Sequence, residues 1–178
     1  MPPPTIHLAH GASGSAASMR PYVEGLRARG LSAEPVQLPR SNVERAVVAY
    51  RAAAPAAAGS IIGGHSFGGR VASLLAAEDG YAALILLSYP LHAPGRHDSW
   101  RERTSHWPRI TCPVLLLSGD HDPFARIDLL RDAVQQLTTH ELVVYEGVRH
   151  GIGPRLEDAL DRIAGFANRI TEAVHSGE

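Results

Sequence analysis

The sequence predicts an α/β fold in which one mostly parallel, six-stranded sheet carries helices on both faces. Short apolar segments alternate with segments of helical spacing along the chain. Two of the apolar segments, 82–87 and 113–118, are unbroken runs, as expected for strands that are covered on both faces. With 178 residues, 44% of them hydrophobic, the chain is long enough for a single domain over 1–178 with a substantial core.

Each strand is placed by a short apolar run. The first is 5–9, and 31–38 contains the second, which we expect at an edge of the sheet. The remaining strands are predicted at 59–63, 82–87, 113–118 and 141–145. Because strands that alternate with helices pair through right-handed crossovers, this order predicts parallel neighbours.

Apolar residues at helical spacing place the helices between these strands. Ser18 is a candidate N-cap for the first helix, which Gly30 ends. Further helices are predicted from Val43 to near Pro55, over 69–77, after Pro123 and over 156–174. We interpret the alanine-rich segment 52–58 as a helix end followed by a loop.

Composition and charge exclude several classes of protein. A net charge of −1 gives no global field that would attract nucleic acid or an acidic membrane surface. No apolar run approaches the roughly 18 to 20 residues of a membrane-spanning helix. The single cysteine, Cys112, cannot form an internal disulfide, and residues 1–4 form a short stiff lead-in without a signal sequence. We therefore expect a cytoplasmic protein, and the oligomeric state stays open.

The most informative stretch is Gly64-His65-Ser66-Phe67-Gly68, where an apolar strand gives way to a small-residue helix. This is a G-x-S-x-G motif in its strand–turn–helix context, which exposes the serine hydroxyl at the end of the sheet. The two glycines leave room for backbone to cross closely. A glycine-rich turn can also be purely structural, so the prediction that Ser66 is a nucleophile depends on its partners.

A serine nucleophile needs a base and an acid that orients the base. In a parallel sheet these groups must lie in loops that follow strands, because ligands bind beyond the carboxyl ends. His150 follows the last predicted strand and is the candidate base, with a polar surface loop as the plainer interpretation. His140 precedes that strand and lies at the wrong end. The resulting order, Ser66, Asp122, His150, is typical of one class of serine hydrolases.

Two carboxylates compete for the acid, Asp120 and Asp122. We favour Asp122, because the residues after the strand carry it out over the sheet edge towards the imidazole. Asp120 is expected to cap the turn through its own backbone, the commonest structural role of aspartate in such a loop.

An oxyanion hole needs two preorganised backbone N–H groups. Phe67, directly after the serine, is expected to supply one, and Ala12 in the loop after the first strand the other. Ser13 is an alternative to Ala12. A tight turn of small residues without a catalytic role also fits this loop.

Taken together, these blocks resemble the α/β-hydrolases over nearly the whole chain. Within that superfamily the chain is similar to the small, capless group related to testis-expressed protein 30 and the hydrolase-like domain of KAT8 regulatory NSL complex subunit 3, and to dienelactone hydrolases. The matching blocks are 9–14, 65–70, 88–95, 119–124 and 146–150. The resemblance implies a minimal six-stranded α/β-hydrolase fold and a Ser66–His150–Asp122 triad, and it implies no particular substrate.

The connection 88–112 is too short for a substantial cap, which predicts an open, shallow site for a short acyl group. Tyr89, His92 and Phe124 are the candidate substrate-binding residues, although aromatic side chains in such loops also serve as packing anchors. Four arginines in this connection hint at an anionic substrate, but a solvated loop is the preferred interpretation.

The leading functional hypothesis is a serine esterase or thioesterase that acts on a small-molecule ester without a cofactor. A non-catalytic binding or scaffold module with the same fold is the alternative. A metal hydrolase built on the ten histidines is a weak third, because no pair shows metalloprotease spacing and no metal site is expected.

Overall fold

In the computed structural model, residues 3–40, 42–57 and 59–176 are described, apart from the side chains of residues 174 and 175. Part of the predicted lead-in, residue 58 of the alanine-rich segment and the Val174 side chain therefore lie outside the description. Within these ranges, six parallel strands form one sheet of order β2-β1-β3-β4-β5-β6. They are β1 Thr5–Ala9, β2 Ser32–Val36, β3 Ser60–His65, β4 Ala83–Leu87, β5 Val114–Gly119 and β6 His140–Tyr145.

Helices connect successive strands, as the alternating pattern predicts. They are α1 Arg20–Ala28, α2 Val43–Ala53, α3 Phe67–Ala76, α4 Trp100–Arg103, α5 Ile127–Ala133 and α6 Leu156–Ser176. Five short 3₁₀ turns accompany them in the described ranges, at Ala16–Met19, His97–Ser99, Trp107–Arg109, Val134–Gln136 and Gly153–Arg155. None of the helices described is long and apolar enough to cross a lipid bilayer.

The predicted element order is confirmed, including the position of β2 at an edge of the sheet. The prediction that Ser18 caps the first helix is wrong, because Ser18 lies inside the 3₁₀ turn that precedes α1. Its hydroxyl instead accepts a hydrogen bond of 3.0 Å from the backbone N–H of Ser15. The helical segment thus begins with the 3₁₀ turn at Ala16, before the first residue that the apolar periodicity marks.

The sheet separates two apolar cores. On one face, side chains such as Tyr50, Leu75 and Trp107 pack between the sheet, α2, α3 and the connection 88–112. On the other face, α1 and α6 pack against the sheet through side chains such as Leu26 and Ile163. Burying an aliphatic side chain of this size stabilises the fold by about 1.5–3 kcal/mol, so the two cores fix the sheet that positions the loops.

The connection between β4 and β5 folds down onto the first core, and its described residues contain only short helical turns. The Tyr89 ring packs edge-on against Trp107, with ring centroids 5.0 Å apart. Beneath them, His106 Nε2 and Ser73 Oγ are hydrogen-bonded at 2.7 Å in a buried setting. The prediction that no cap domain covers the sheet is therefore confirmed.

His106 makes the stability of the fold dependent on pH. Burial, reinforced by the nearby charges of Arg109 and Arg70, lowers the pKa of His106 from 6.5 to about 4. Between these values the unfolded chain binds more protons than the folded chain, so stability falls as the pH is lowered through this window. At pH 5 the cost from this one histidine is about 2 kcal/mol.

We predict that His106→Gln reduces the loss of unfolding free energy between pH 7 and pH 5 by about 2 kcal/mol, because glutamine carries no titrating group. Urea denaturation at the two pH values measures this difference. His97→Gln, a change at an exposed histidine of the same connection, serves as the control and should keep the wild-type pH dependence. An unchanged dependence in His106→Gln would contradict the account.

Candidate active site

Ser66 occupies a strained turn between β3 and α3. Its backbone angles are φ 50° and ψ −114°, a left-handed conformation that a residue with a side chain rarely adopts. Such strain costs on the order of 1–3 kcal/mol and persists only where the surrounding structure enforces it. The Ser66 N–H donates a 2.9 Å hydrogen bond to the carbonyl of Leu87, which ties the turn to the end of β4.

Close backbone approaches enforce this turn. A Cβ on Gly64 would lie 2.4 Å from the carbonyl oxygen of Ala9, and a Cβ on Gly68 would lie 2.5 Å from the same atom. Real Cβ atoms do not approach backbone so closely, so both positions require glycine. The predicted reason for the two glycines, room for backbone to cross, is confirmed.

Ser66, His150 and Asp122 are joined by two short hydrogen bonds. Ser66 Oγ lies 2.8 Å from His150 Nε2, and His150 Nδ1 lies 2.8 Å from Asp122 Oδ2. An ionised carboxylate can only accept, so Nδ1 carries the proton and Nε2 is left to accept the serine proton. The structure thus brings together three side chains that are 84 and 28 residues apart in sequence.

The Asp122 side chain is fully buried, whereas the His150 side chain retains 20% of its exposure. A buried carboxylate needs hydrogen-bond donors. Asp122 Oδ1 accepts a 2.8 Å hydrogen bond from the backbone N–H of Phe124, while Oδ2 faces His150. The carboxylate is consequently held in one orientation, and it fixes the imidazole.

Asp120 has a different set of partners. Its Oδ1 accepts hydrogen bonds of 2.7 Å from the Gly147 N–H and from His121 Nδ1. The hydrogen bond with His121 and, more weakly, that with Gly147 hold the pKa of Asp120 below its ordinary value. Asp120 therefore joins the loop after β5 to the turn after β6, where Gly147 has a φ of 71°.

Two rings flank the His150 imidazole. The centroid of Phe124 lies 4.5 Å away, and that of His65 lies 5.3 Å away. Burial and the proximity of His150 lower the pKa of His65 to about 4, so His65 is uncharged near neutral pH. His65 therefore places no positive charge next to the imidazole of His150. His65 Nε2 is buried and has no hydrogen-bond partner among the described residues.

A cavity of about 640 Å³ opens beside Ser66. This volume lies within the range of small-molecule sites and exceeds what a short acyl group needs. Its walls come from the loop after β1, the start of α1, the turn at Ser66, Phe124, the loop after β6 and the start of α6. The lining residues are Gly11, Ala12, Ser13, Gly14, Ser18, Met19, Pro21, Tyr22, His65, Ser66, Phe124, His150, Gly151, Ile152, Gly153 and Leu156.

The two predicted oxyanion donors occupy suitable places. Phe67 is the first residue of α3, so its N–H has no acceptor within the helix. Ala12 lines the cavity, and its neighbour Gly11 is close enough that a Cβ there would lie 3.7 Å from Ser66 Cβ. These positions are compatible with the role, which stays a prediction, as does the alternative of Ser13.

Two of the three predicted substrate-binding residues do not line the cavity. Tyr89 is buried, and its hydroxyl donates a 2.8 Å hydrogen bond to the carbonyl of Arg103. His92 is also buried, and its Nε2 accepts a hydrogen bond from the Arg126 N–H at 3.0 Å. Both side chains therefore contact protein and not the cavity beside Ser66, and a substrate-binding role for them stays a prediction without support from this geometry. Phe124 does line the cavity.

The apolar wall of the cavity is not marked by any motif in the sequence. Met19 ends the 3₁₀ turn before α1, and Pro21 and Tyr22 lie in the first turn of α1. Ile152 lies in the loop after β6, and Leu156 begins α6. Helical spacing marks Met19, Tyr22 and Leu156 as apolar positions but does not distinguish core from cavity. Their proximity to loops that follow β1 and β6 is the signal that was available.

The arginine and histidine content raised two alternatives, an anionic substrate and a metal site. Neither corresponds to an arrangement of described side chains at this cavity. None of the four arginines of the connection 88–112 lines the cavity beside Ser66. In the part of the chain that the structure describes, no three His, Cys, Asp or Glu side chains are arranged to hold a metal ion.

Comparison with known proteins defines the class. The family model for the alpha/beta hydrolase domain matches residues 19–175, and the chain belongs to this family. The matched range contains Ser66, Asp122 and His150. The similarity to the narrower group around testis-expressed protein 30 stays a prediction.

Solved structures share the fold at low identity. A monoacylglycerol lipase from Paleococcus ferrophilus aligns with a TM-score of 0.78 and 16% identity, covering 93% of this chain and 94% of that one. Est1E from Butyrivibrio proteoclasticus, solved with ferulic acid bound, gives 0.76 and 18%, covering 96% and 90%. Thermogutta terrifontis esterase 2, phosphonylated by sarin, gives 0.75 and 19%, covering 94% and 84%. These likenesses confirm the α/β-hydrolase fold.

The loops that carry Asp122 and His150 depend on a glycine at the end of β5. A Cβ on Gly119 would lie 2.0 Å from the carbonyl oxygen of Val148, an atom that also accepts a 3.0 Å hydrogen bond from the His121 N–H. We predict that Gly119→Ala forces the two loops apart and destabilises the protein by about 1–3 kcal/mol.

Urea denaturation measures this loss. The matched control is Gly80→Ala, because a Cβ on Gly80 would meet no atom within 4 Å. Gly80→Ala should stay within about 0.5 kcal/mol of the wild type. Equal stability of the two variants would contradict the close contact between Gly119 and the Val148 carbonyl.

Proposed function

We propose that this protein is a serine hydrolase that cleaves an ester or thioester through an acyl-enzyme on Ser66. The observation that carries the proposal is the continuous hydrogen-bonded series from Ser66 Oγ through His150 to the buried carboxylate of Asp122. Membership of the alpha/beta hydrolase domain family supports it. The lipase and esterase names of two structural neighbours favour an ester as the substrate.

In the acylation step, Ser66 Oγ attacks the carbonyl carbon of the ester, and its proton passes to His150 Nε2. The Asp122 carboxylate stabilises the imidazolium that forms. The N–H groups of Phe67 and Ala12 donate hydrogen bonds that stabilise the negative charge on the former carbonyl oxygen. Each such donor typically contributes a factor of about 10²–10³ to the rate. The tetrahedral intermediate then collapses, and the leaving alcohol or thiol takes the proton from His150.

Deacylation repeats these steps with water. His150, once more neutral, removes a proton from a water molecule as its oxygen attacks the acyl carbon. Collapse of the second intermediate returns the proton to Ser66 and releases the carboxylic acid. The 20% exposure of the His150 side chain is compatible with access of water to the base. One ester and one water are thus converted to an acid and an alcohol with no cofactor.

Backbone strain argues against a purely non-catalytic module. The left-handed conformation of Ser66 costs stability, and a scaffold gains nothing from exposing this hydroxyl to a cavity. A nucleophile benefits from the same conformation, because the turn places Oγ within hydrogen-bond distance of His150 and beside the cavity that would hold the substrate.

Asp122 and Asp120 provide the test of this mechanism. We predict that Asp122→Asn lowers kcat for p-nitrophenyl butyrate by about 10⁴-fold, because an amide no longer holds the imidazole in the required tautomer. Asp120→Asn is the matched control in the same loop. It should retain kcat within about tenfold, since Asp120 contacts Gly147 and His121 and not His150.

Ser66→Ala sets the background rate, and circular dichroism checks that each variant is folded. If Asp120→Asn abolished turnover while Asp122→Asn did not, the assigned acid would be wrong. If the wild type hydrolysed no faster than Ser66→Ala, the proposed function itself would be wrong.

A further inference from the structure

Tyr22 differs from every other tyrosine of the chain. The hydroxyls of the remaining four all donate to protein acceptors. Tyr50 donates to Gly63 at 2.6 Å, Tyr81 to Ala54 at 3.0 Å, Tyr89 to Arg103 at 2.8 Å and Tyr145 to Asp158 at 2.8 Å. The Tyr22 hydroxyl has no hydrogen-bond partner among the described residues, and Tyr22 is the tyrosine that lines the cavity beside Ser66.

This unpaired hydroxyl belongs to a side chain that is largely removed from water. Tyr22 keeps 9% of its exposure, and burial raises its pKa to about 12. The phenol is therefore neutral and able both to donate and to accept a hydrogen bond. The hydroxyl oxygen itself is not fully buried. Because Tyr22 lines the cavity, a polar group of a bound ligand can replace water as the hydrogen-bond partner of this hydroxyl.

The surroundings of Tyr22 are apolar. Met19, Pro21, Ile152 and Leu156 form this wall, at and just before the starts of α1 and α6. The Ser18 hydroxyl, which also lines the cavity, accepts a hydrogen bond from the Ser15 N–H and keeps its own O–H to donate, and both Ser18 and Ser13 occupy exposed positions. Tyr22 is thus the buried polar side chain of an otherwise hydrophobic wall.

We propose that the cavity selects an ester whose larger half has an apolar body and a remote hydrogen-bonding group such as a hydroxyl, and that Tyr22 binds this group. The inference rests on the proposed ester hydrolysis at Ser66. Apolar walls provide affinity for the body of the ligand, while one placed polar group determines its orientation, as in other small-molecule sites. Tyr22 acts here as a specificity-determining residue and takes no part in bond cleavage.

Matched substrate pairs test the inference. One series contains the ethyl esters of phenylacetic, 3-phenylpropionic and 4-phenylbutyric acids, each with and without a para-hydroxyl. The other contains the acetates of benzyl alcohol, 2-phenylethanol and 3-phenylpropanol, again with and without a para-hydroxyl. The two series cover both halves of an ester and three distances between the hydroxyl and the scissile bond. Acid release gives kcat/KM for each member.

We expect the wild type to prefer the hydroxylated member of at least one pair by about threefold to tenfold, the effect of one hydrogen bond. Tyr22→Phe should reduce that ratio to about one. Tyr81→Phe is the control, because Tyr81 donates to Ala54 and does not line the cavity, and it should keep the wild-type ratio. Using ratios within one variant removes the effect of any loss of folded protein.

Ratios that are equal in the wild type and Tyr22→Phe for all six pairs would overturn the inference while leaving ester hydrolysis intact. Failure of the wild type to cleave any ester of either series, or p-nitrophenyl butyrate, would instead refute the proposed function and the inference with it.

Discussion

The contact on which the site depends is the approach of two glycines to one carbonyl oxygen. Ala9, the last residue of β1, presents its carbonyl to Gly64 and Gly68 at distances that leave no space for a Cβ on either. This crossing forces the chain between them into a turn so tight that Ser66 takes a positive φ. The strain is sustained by the cores on both faces of the sheet, which hold β1, β3 and α3 in place.

Parallel pairing then brings the other two functional side chains to the same edge. β4, β5 and β6 lie side by side in register, so the loops after β5 and β6 open next to the turn after β3. Two hydrogen bonds join the two loops: the Asp120 carboxylate accepts from the Gly147 N–H, and the Val148 carbonyl accepts from the His121 N–H. The buried carboxylate of Asp122 and the partly exposed imidazole of His150 consequently meet with little freedom to separate.

Much of this arrangement could be predicted from the sequence, because chain order and strand ends constrain it. Ser66, Asp122 and His150 each follow a strand, and His150 is the one histidine in the loop between the last strand and the last helix. The reach of the loop is the one sequence argument that favours Asp122 over Asp120 as the acid. The structure supplies a physical reason, because the Asp120 carboxylate is hydrogen-bonded to Gly147 and His121.

The direction of side chains within loops could not be predicted. Tyr89 and His92 follow β4 at the correct edge, yet they turn inward to Trp107 and to the Arg126 N–H. Met19 and Tyr22 have the spacing of core residues, and the same spacing serves a cavity wall. A pattern of apolar residues indicates removal from water but does not indicate whether protein or ligand replaces the water.

The central claim is that the turn, the base and the acid together make Ser66 a nucleophile. Reaction with a fluorophosphonate probe, read by intact-protein and peptide mass spectrometry, tests it most directly, since the phosphonyl group is retained on the attacking oxygen. The account predicts one adduct per chain, located on Ser66, and no comparable reaction of His150→Ala. Folded wild-type protein that stays unlabelled, or that is labelled at another residue, would contradict it.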